Sequence, residues 1–237
     1  MTGPGNQQGF GYVLTSGMFF LVILFCAATA QAAATLDEVL ARMDQNAATF
    51  KSMSANVRQL SHTAVINEDN ASSGTVRMKR NKKEAQVLVE FTEPDPKSVS
   101  LSGTKAELFY PKLQTVEEYD LGRNKEMVEK FLALGFGASG KELKADYNLR
   151  ALGEESVNGV KALRVELIPK SPQVARQFPK IELWISEANG YPVQQKLHQT
   201  GGDYMTVTYS DVKINPSLPD SAYKLNMPKG TKRVTPK

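Results

Sequence analysis

Leu36, Val39, Leu40, Met43, Ala47 and Phe50 recur at intervals of three and four residues, which places them on one stripe of a helix of about four turns. Thr35-Leu-Asp-Glu38 opens the run as a capping box, since the Thr35 hydroxyl and the Glu38 carboxylate can satisfy helix-start amides reciprocally. A helix is therefore expected from Thr35 to roughly Lys51, with its stripe against something apolar. Beyond it the period falls to two. Val76 and Met78 alternate with Thr75, Arg77 and Lys79; Ala85, Val87, Val89 and Phe91 with Gln86, Leu88 and Glu90. The same alternation runs through Leu163–Leu167, Ile181–Ile185, Val193–Leu197 and Met205–Tyr209. Turn formers separate these runs, Asn67-Glu-Asp-Asn70, Ser102-Gly103, Asn158-Gly159, Asn189-Gly190 and Gly201-Gly202 among them. Both Asn-Gly pairs are hairpin signals, because each residue tolerates positive φ. The pattern predicts nine to eleven short strands in an antiparallel meander with one wet face.

The alternation breaks at residues 123–148. Met127, Val128, Phe131, Leu132 and Leu134 fall on one helical face, with Glu126, Glu129 and Lys130 on the other, and Lys141–Tyr147 can form a second short helix. Between them stands FLALGFGASGKEL. Gly135, Gly137 and Gly140 match G-x-G-x-x-G, and Gly135 to Lys141 match G-x-x-x-x-G-K. A phosphate loop needs a buried strand leading in and a Ser or Thr after the lysine to hold magnesium. Here charges at helical spacing lead in, and Glu142 follows. A dinucleotide site needs an acidic residue about twenty positions on in a βαβ unit, where this chain has the Asn158-Gly159 turn. No nucleotide is expected. The glycines read instead as the flexible end of the helical segment.

Net charge is +4 over 237 residues, too small and scattered to argue for nucleic acid. The basic run Arg77, Lys79, Arg80, Lys82, Lys83 reads as a solvated strand and turn. Gly17–Ala30 is an apolar run too short to span a bilayer, followed by Ala30-Gln31-Ala32; this predicts a secretory signal over residues 1–32 cleaved after Ala32, although residues 1–16 lack Lys and Arg. Removing it removes Cys26, the only cysteine, so no disulfide or thiolate site is expected. His62 and His198 are far apart and not spaced as a metal pair. There is no G-x-S-x-G elbow, no H-E-x-x-H helix, and no carboxylate in a segment that reads as buried. Neither enzyme, metal nor cofactor is expected.

Four motifs carry a family resemblance. The opening helix followed by Phe50-Lys-Ser-Met-Ser-Ala-Asn-Val-Arg-Gln59, then Gly74-Thr-Val-Arg-Met-Lys-Arg80, Phe91-Thr-Glu-Pro94 and Ser102–Pro111, resembles the LolA-like periplasmic carriers of outer-membrane lipoproteins over nearly all of 35–230. Asn81 stands where the family has Pro after the second-strand Arg. The resemblance implies a mainly β protein with helices (α+β): an incomplete antiparallel β-barrel, or strongly curved sheet, as one domain over 33–237. An N-terminal helix and a mid-chain helical lid would cover its concave apolar face. It implies acyl chains held in a cavity lined by Val76, Met78, Val87, Val89 and Phe91, under a lid bearing Phe131, Leu132, Leu134 and Phe136. Gly135, Gly137 and Gly140 would be the hinge, and Arg80 the lid contact acting in cargo transfer. A monomeric periplasmic carrier is implied, receiving lipoprotein or lipid from an inner-membrane ATP-driven extractor and passing it to an outer-membrane acceptor. LolA-like domains also occur in regulators that sense lipoproteins, which is the alternative reading.

Overall fold

The computed structural model describes residues 34–80, 85–122, 128, 134 and 136–236, with positions 1, 3 and 5. The chain falls into two units, Met1–Ala32 and Ala33–Lys237, and the second is the subject below. The expected signal segment, with Cys26, and the expected Asn81, Lys82 and Lys83 lie outside the described residues.

Helix α1 spans Leu36–Thr49, and its capping box is formed: Glu38 N donates to Thr35 Oγ1 at 3.3 Å, and Thr35 N donates to Glu38 Oε2 at 2.9 Å. Six strands follow as a meander: β1 (Ser52–Thr63), β2 (Glu68–Arg80), β3 (Ala85–Glu93), β4 (Lys97–Ser102), β5 (Lys105–Tyr110) and β6 (Thr115–Asp120). A long connection leads to helix α2 (Gly140–Asp146). The second meander is β7 (Tyr147–Val157), β8 (Val160–Pro169), the short helix α3 (Pro172–Gln177), β9 (Lys180–Ser186), β10 (Pro192–His198) and β11 (Tyr204–Ile214), with β12 (Lys232–Val234) last.

All twelve strands form one open sheet in the order β12-β6-β5-β4-β3-β2-β1-β11-β10-β9-β8-β7. Every pairing is antiparallel except β12 with β6. That parallel edge was not legible in the sequence, because Lys232-Arg-Val234 is too short and polar to show alternation. The expected architecture, an unclosed, mostly antiparallel curved sheet with helices, is present. Bulges bend it at Ser54/Asn56, Ser73/Gly74, Ala151/Gly153 and Pro192/Gln194, each adding local twist. Gly74 sits at one of them, so close to β3 that a Cβ there would stand 1.9 Å from the Glu90 carbonyl oxygen.

The two Asn-Gly turns differ. Asn158 and Gly159 both take positive φ, 49° and 79°, as a tight hairpin with right-handed twist requires. In the other turn Gly190 (φ 69°) has it and Asn189 does not. There the turn is docked on α1: Asn46 Nδ2 donates to the Asn189 carbonyl at 2.6 Å, and a Cβ on Gly190 would meet Arg42 Cβ at 2.8 Å.

Two apolar clusters divide the concave face. In the first, Val39, Leu40 and Met43 of α1 and Leu143 of α2 pack on Leu163, Val165 and Leu167 of β8 and Ile181, Leu183 and Ile185 of β9. Each such side chain contributes about 1.5–3 kcal/mol by leaving water. In the second, Phe50 joins Met53, Ala55 and Val57 of β1, Val76 and Met78 of β2, Val87 and Phe91 of β3, and Phe136. The stripe of α1 therefore lies over the β8–β9 end of the sheet.

One carboxylate is buried after all. Glu182 alternates with the apolar residues of β9, which reads as a wet position, yet it is 1% exposed. On the convex face it accepts from Arg164 Nε at 2.7 Å and Lys180 Nζ at 3.1 Å, and lies 2.9 Å from His198 Nε2. Arg164 reaches on to Glu155, which also accepts from Trp184 Nε1 at 2.6 Å. Apart from Lys180 on β9 itself, these partners of Glu182 come from neighbouring strands, so no window along β9 reveals the burial. Burial raises the Glu182 carboxyl, but its cationic hydrogen-bond partners outweigh that and hold it below its ordinary value of 4.5. Burial, chiefly, lowers His198 below 6.5 despite the adjacent Glu182.

Both shifts have one sign. Each group binds its proton less readily folded than unfolded, so falling pH favours the unfolded chain. Urea midpoints are expected to fall as pH drops below about 6.5, where unfolded His198 protonates first, and again below about 4.5, where Glu182 follows. Glu182→Gln should flatten the lower limb and enlarge the upper one, because it removes the carboxylate that opposes the lowering of His198.

Candidate ligand cavity

β6 and β7 lie near opposite edges of the sheet. Of the described residues that join β6 to α2, Val128, Leu134 and Phe136 line a cavity of about 600 Å³ whose other wall is mainly the sheet. Val76 and Met78 of β2 and Val87, Val89 and Phe91 of β3 all line it. Their register, Val76 opposite Val89 and Met78 opposite Val87, makes a contiguous apolar wall. Phe131, Leu132 and Gly135 lie outside the described residues.

Much of the remaining wall comes from strands not nominated as lining, Met53, Val57 and Gln59 of β1, Gln195 and Leu197 of β10, and Met205, Val207 and Tyr209 of β11, with Val99 of β4, Leu121, and Gln177 and Phe178 at the end of α3 completing it. The period-two signal was present in β11, but its pairing with β1 joins residues about 150 positions apart. None of the described lining residues is Asp, Glu, Lys, Arg or His. The cavity lies beside α1, where the second cluster is incompletely filled.

Residues 136–140 fix the end of the crossing segment. Phe136 stands edge-on to Tyr209 at 5.1 Å and stacks with Tyr191 at 6.0 Å. Arg80, at the end of β2, donates from Nη1 to the Gly137 carbonyl at 2.7 Å. Gly137 has φ +92°, and a Cβ would meet the Phe50 ring at 2.8 Å. Two independent constraints thus require glycine there. Gly140 differs from the expected hinge. It begins α2 without a positive φ, and a Cβ would stand 2.6 Å from the Leu40 carbonyl oxygen. Its missing side chain allows α2 to approach α1, so this position is a packing contact and not a pivot.

The amides at the start of α2 explain the phosphate-loop likeness. Glu142 N donates to Ser139 Oγ at 3.1 Å, Ser139 N to Glu142 Oε2 at 2.7 Å, and Lys141 N to Asp44 Oδ1 of α1 at 3.1 Å. Ser139-Gly-Lys-Glu142 is a second capping box, which the glycine spacing masked. The helix N-terminus spends its donors on the chain's own hydroxyl and carboxylates.

Both histidines stand on the convex face, away from this cavity. His62 stacks on Tyr204 at 4.6 Å with Asp69 at 2.7 Å from its Nδ1, and His198 approaches the same tyrosine at 6.2 Å. Among the described residues no group of three or more His, Cys, Asp or Glu could hold a metal ion, and no helix is long and apolar enough to cross a membrane.

A protein-family model described as "Uncharacterized protein" matches residues 83–216, more than half of the chain. An uncharacterized protein of Methanocaldococcus jannaschii is 24% identical over 229 residues, 96% of this chain. The chain spans 62% of that relative's length. Among solved structures, an uncharacterized conserved protein from Thermus thermophilus superposes with a TM-score of 0.52 at 15% identity, covering 84% of this chain and 98% of the other. A LolA superfamily protein from Nitrosomonas europaea gives 0.39 at 18% identity, covering 81% and 99%. The Mycobacterium tuberculosis lipoprotein LppX gives 0.46 at 15%, covering 78% and 99%.

Gly137→Ala should destabilise the protein by about 2–3 kcal/mol, combining the backbone cost of positive φ with displacement of Phe50. Gly159→Ala, also at positive φ but with open space around it, should lose only about 1 kcal/mol. Urea unfolding of the two variants measures the difference.

Proposed function

The chain belongs to the protein family described as "Uncharacterized protein", and within it we propose a carrier that encloses the acyl chains of a lipoprotein or related lipid. The observation that carries this reading is the cavity of about 600 Å³, walled mostly by apolar side chains with no Asp, Glu, Lys, Arg or His among its described residues. Ligand sites commonly fall between about 300 and 1,000 Å³. Each CH₂ moved from water to such a wall contributes roughly 0.8 kcal/mol, so a soluble carrier gains most of its affinity from a dry groove.

Release requires the roof to move. The end of the crossing segment is held to β2 by the hydrogen bond from Arg80 to Gly137, which can break and re-form without disturbing the sheet. Segments held by few contacts open at low free-energy cost. In the proposed cycle the exported protein, freed of residues 1–32, works in the periplasm. It receives cargo from an inner-membrane extractor and yields it to an outer-membrane acceptor. No chemistry on the cargo is required.

Lipid extraction and mass spectrometry of the native protein are expected to find an acylated species, and a fluorescent fatty-acid probe should bind. Val89→Trp, which fills the groove, should weaken uptake at least about tenfold with the fold intact by circular dichroism; full uptake would remove the cavity from the mechanism.

Arg80→Leu should leave the fold in place and speed probe release severalfold in stopped-flow exchange, the effect of losing one charge-assisted hydrogen bond from a solvent-exposed side chain. Unchanged release would take Arg80 out of the cycle. Binding of a membrane-anchored regulator without lipid transfer would favour the sensor reading.

A further inference from the structure

Three polar side chains interrupt the apolar sheet wall of the cavity. Gln195 of β10 and Gln59 of β1 both stand opposite Val207 of β11, so one cross-strand row carries a glutamine on either side of a valine. Tyr209 lies two residues further along β11, on the same face, opposite Val57. All three line the cavity.

They are not equivalent. Gln59 Nε2 donates to Ser61 Oγ at 3.3 Å. Gln195 Nε2 donates to Tyr209 Oη at 2.9 Å, so the tyrosine oxygen is an acceptor in this pair. That leaves the phenol proton with no acceptor among the described residues. The edge-on contact with Phe136 at 5.1 Å and the Gln195 bond together fix the ring. Tyr209 is half-buried and lines the cavity, so the proton that Gln195 does not engage is available to an acceptor bound there.

The chemistry of the missing partner is constrained. Burial pushes the Tyr209 phenol far above its ordinary range, so it stays a neutral donor at every physiological pH. Its partner must be an acceptor. A carboxylate would be a buried charge with no Lys, Arg or His among the described lining residues to compensate it. A neutral carbonyl has no such cost.

We propose that Tyr209, oriented by Gln195, donates to an ester carbonyl of an acyl ester bound in the cavity, favouring esterified chains over plain hydrocarbon and over ionised fatty acids. The assignment rests on the reading of this cavity as an acyl-chain site and specifies which part of the ligand the wall recognises. Tyr209 and Gln195 are then specificity-determining residues, with the remaining wall contributing length-dependent affinity alone.

The test displaces a bound fluorescent hydrocarbon probe, diphenylhexatriene, from the purified full chain with methyl palmitate, hexadecane or palmitate. Tyr209→Phe keeps the ring and its contact with Phe136 and removes only the hydroxyl. It should weaken methyl palmitate about tenfold and leave hexadecane unchanged. Palmitate should weaken as pH rises through its carboxyl titration, whereas the ester should not. Infrared spectroscopy of carbonyl-labelled methyl palmitate needs no variant: the band should lie at lower wavenumber in the wild-type complex than in hexane. Equal losses for ester and hydrocarbon in Tyr209→Phe, or an unshifted carbonyl band, would overturn the assignment while leaving the acyl-chain cavity standing. Failure of the probe and all three chains to bind would remove the carrier reading, and this assignment with it.

Discussion

The pairing of β1 with β11 is the constraint on which the rest of this structure depends. It joins the first meander to the second and makes one sheet of what would otherwise be two. The chain leaves the first meander at β6 and enters the second at β7, near opposite edges of that sheet, and the described Val128, Leu134 and Phe136 of the connection line the cavity on its apolar face. Burial of those apolar side chains holds them there.

What fills the groove differs from end to end. Over β8 and β9, α1 and α2 press their apolar residues directly onto the sheet, and Gly140 lets the two helices meet at Leu40. Over β1, β2 and β3 Phe136 packs on the sheet, whereas Leu134 packs with the α1, α2, β8 and β9 cluster, and both line the cavity. Close packing normally forbids such space. The protein tolerates it because the well-packed half and the bulged, continuously hydrogen-bonded sheet hold the walls apart. The convex face contributes too: Glu182, Arg164 and His198 tie β8, β9 and β10 together from outside, so rigidity does not depend on filling the inside.

Part of the wall was legible from sequence because period-two alternation is a local signal. It placed Val76 and Met78, and Val87, Val89 and Phe91, on one face of their strands, and that face lines the cavity. The opening helix was legible for the same reason, its capping box and stripe lying close together along the chain. Glu182 was missed because Arg164 and His198 come from neighbouring strands and burial on the convex face has no periodic signature. The second capping box, Ser139 to Glu142, was hidden beneath a glycine pattern that matched a more famous motif.

By itself the sequence determined the opening helix, the alternating faces of β2, β3 and β8 to β11 and the rejection of a phosphate loop, since each follows from residues close along the chain. Only the tertiary structure decided that β11 lies beside β1, that Gly140 packs while Gly137 bends, and that Tyr209 and Gln195 meet inside the cavity. Those outcomes depend on register between strands far apart in sequence. Register is set by burial over the whole sheet, a quantity that no local window contains.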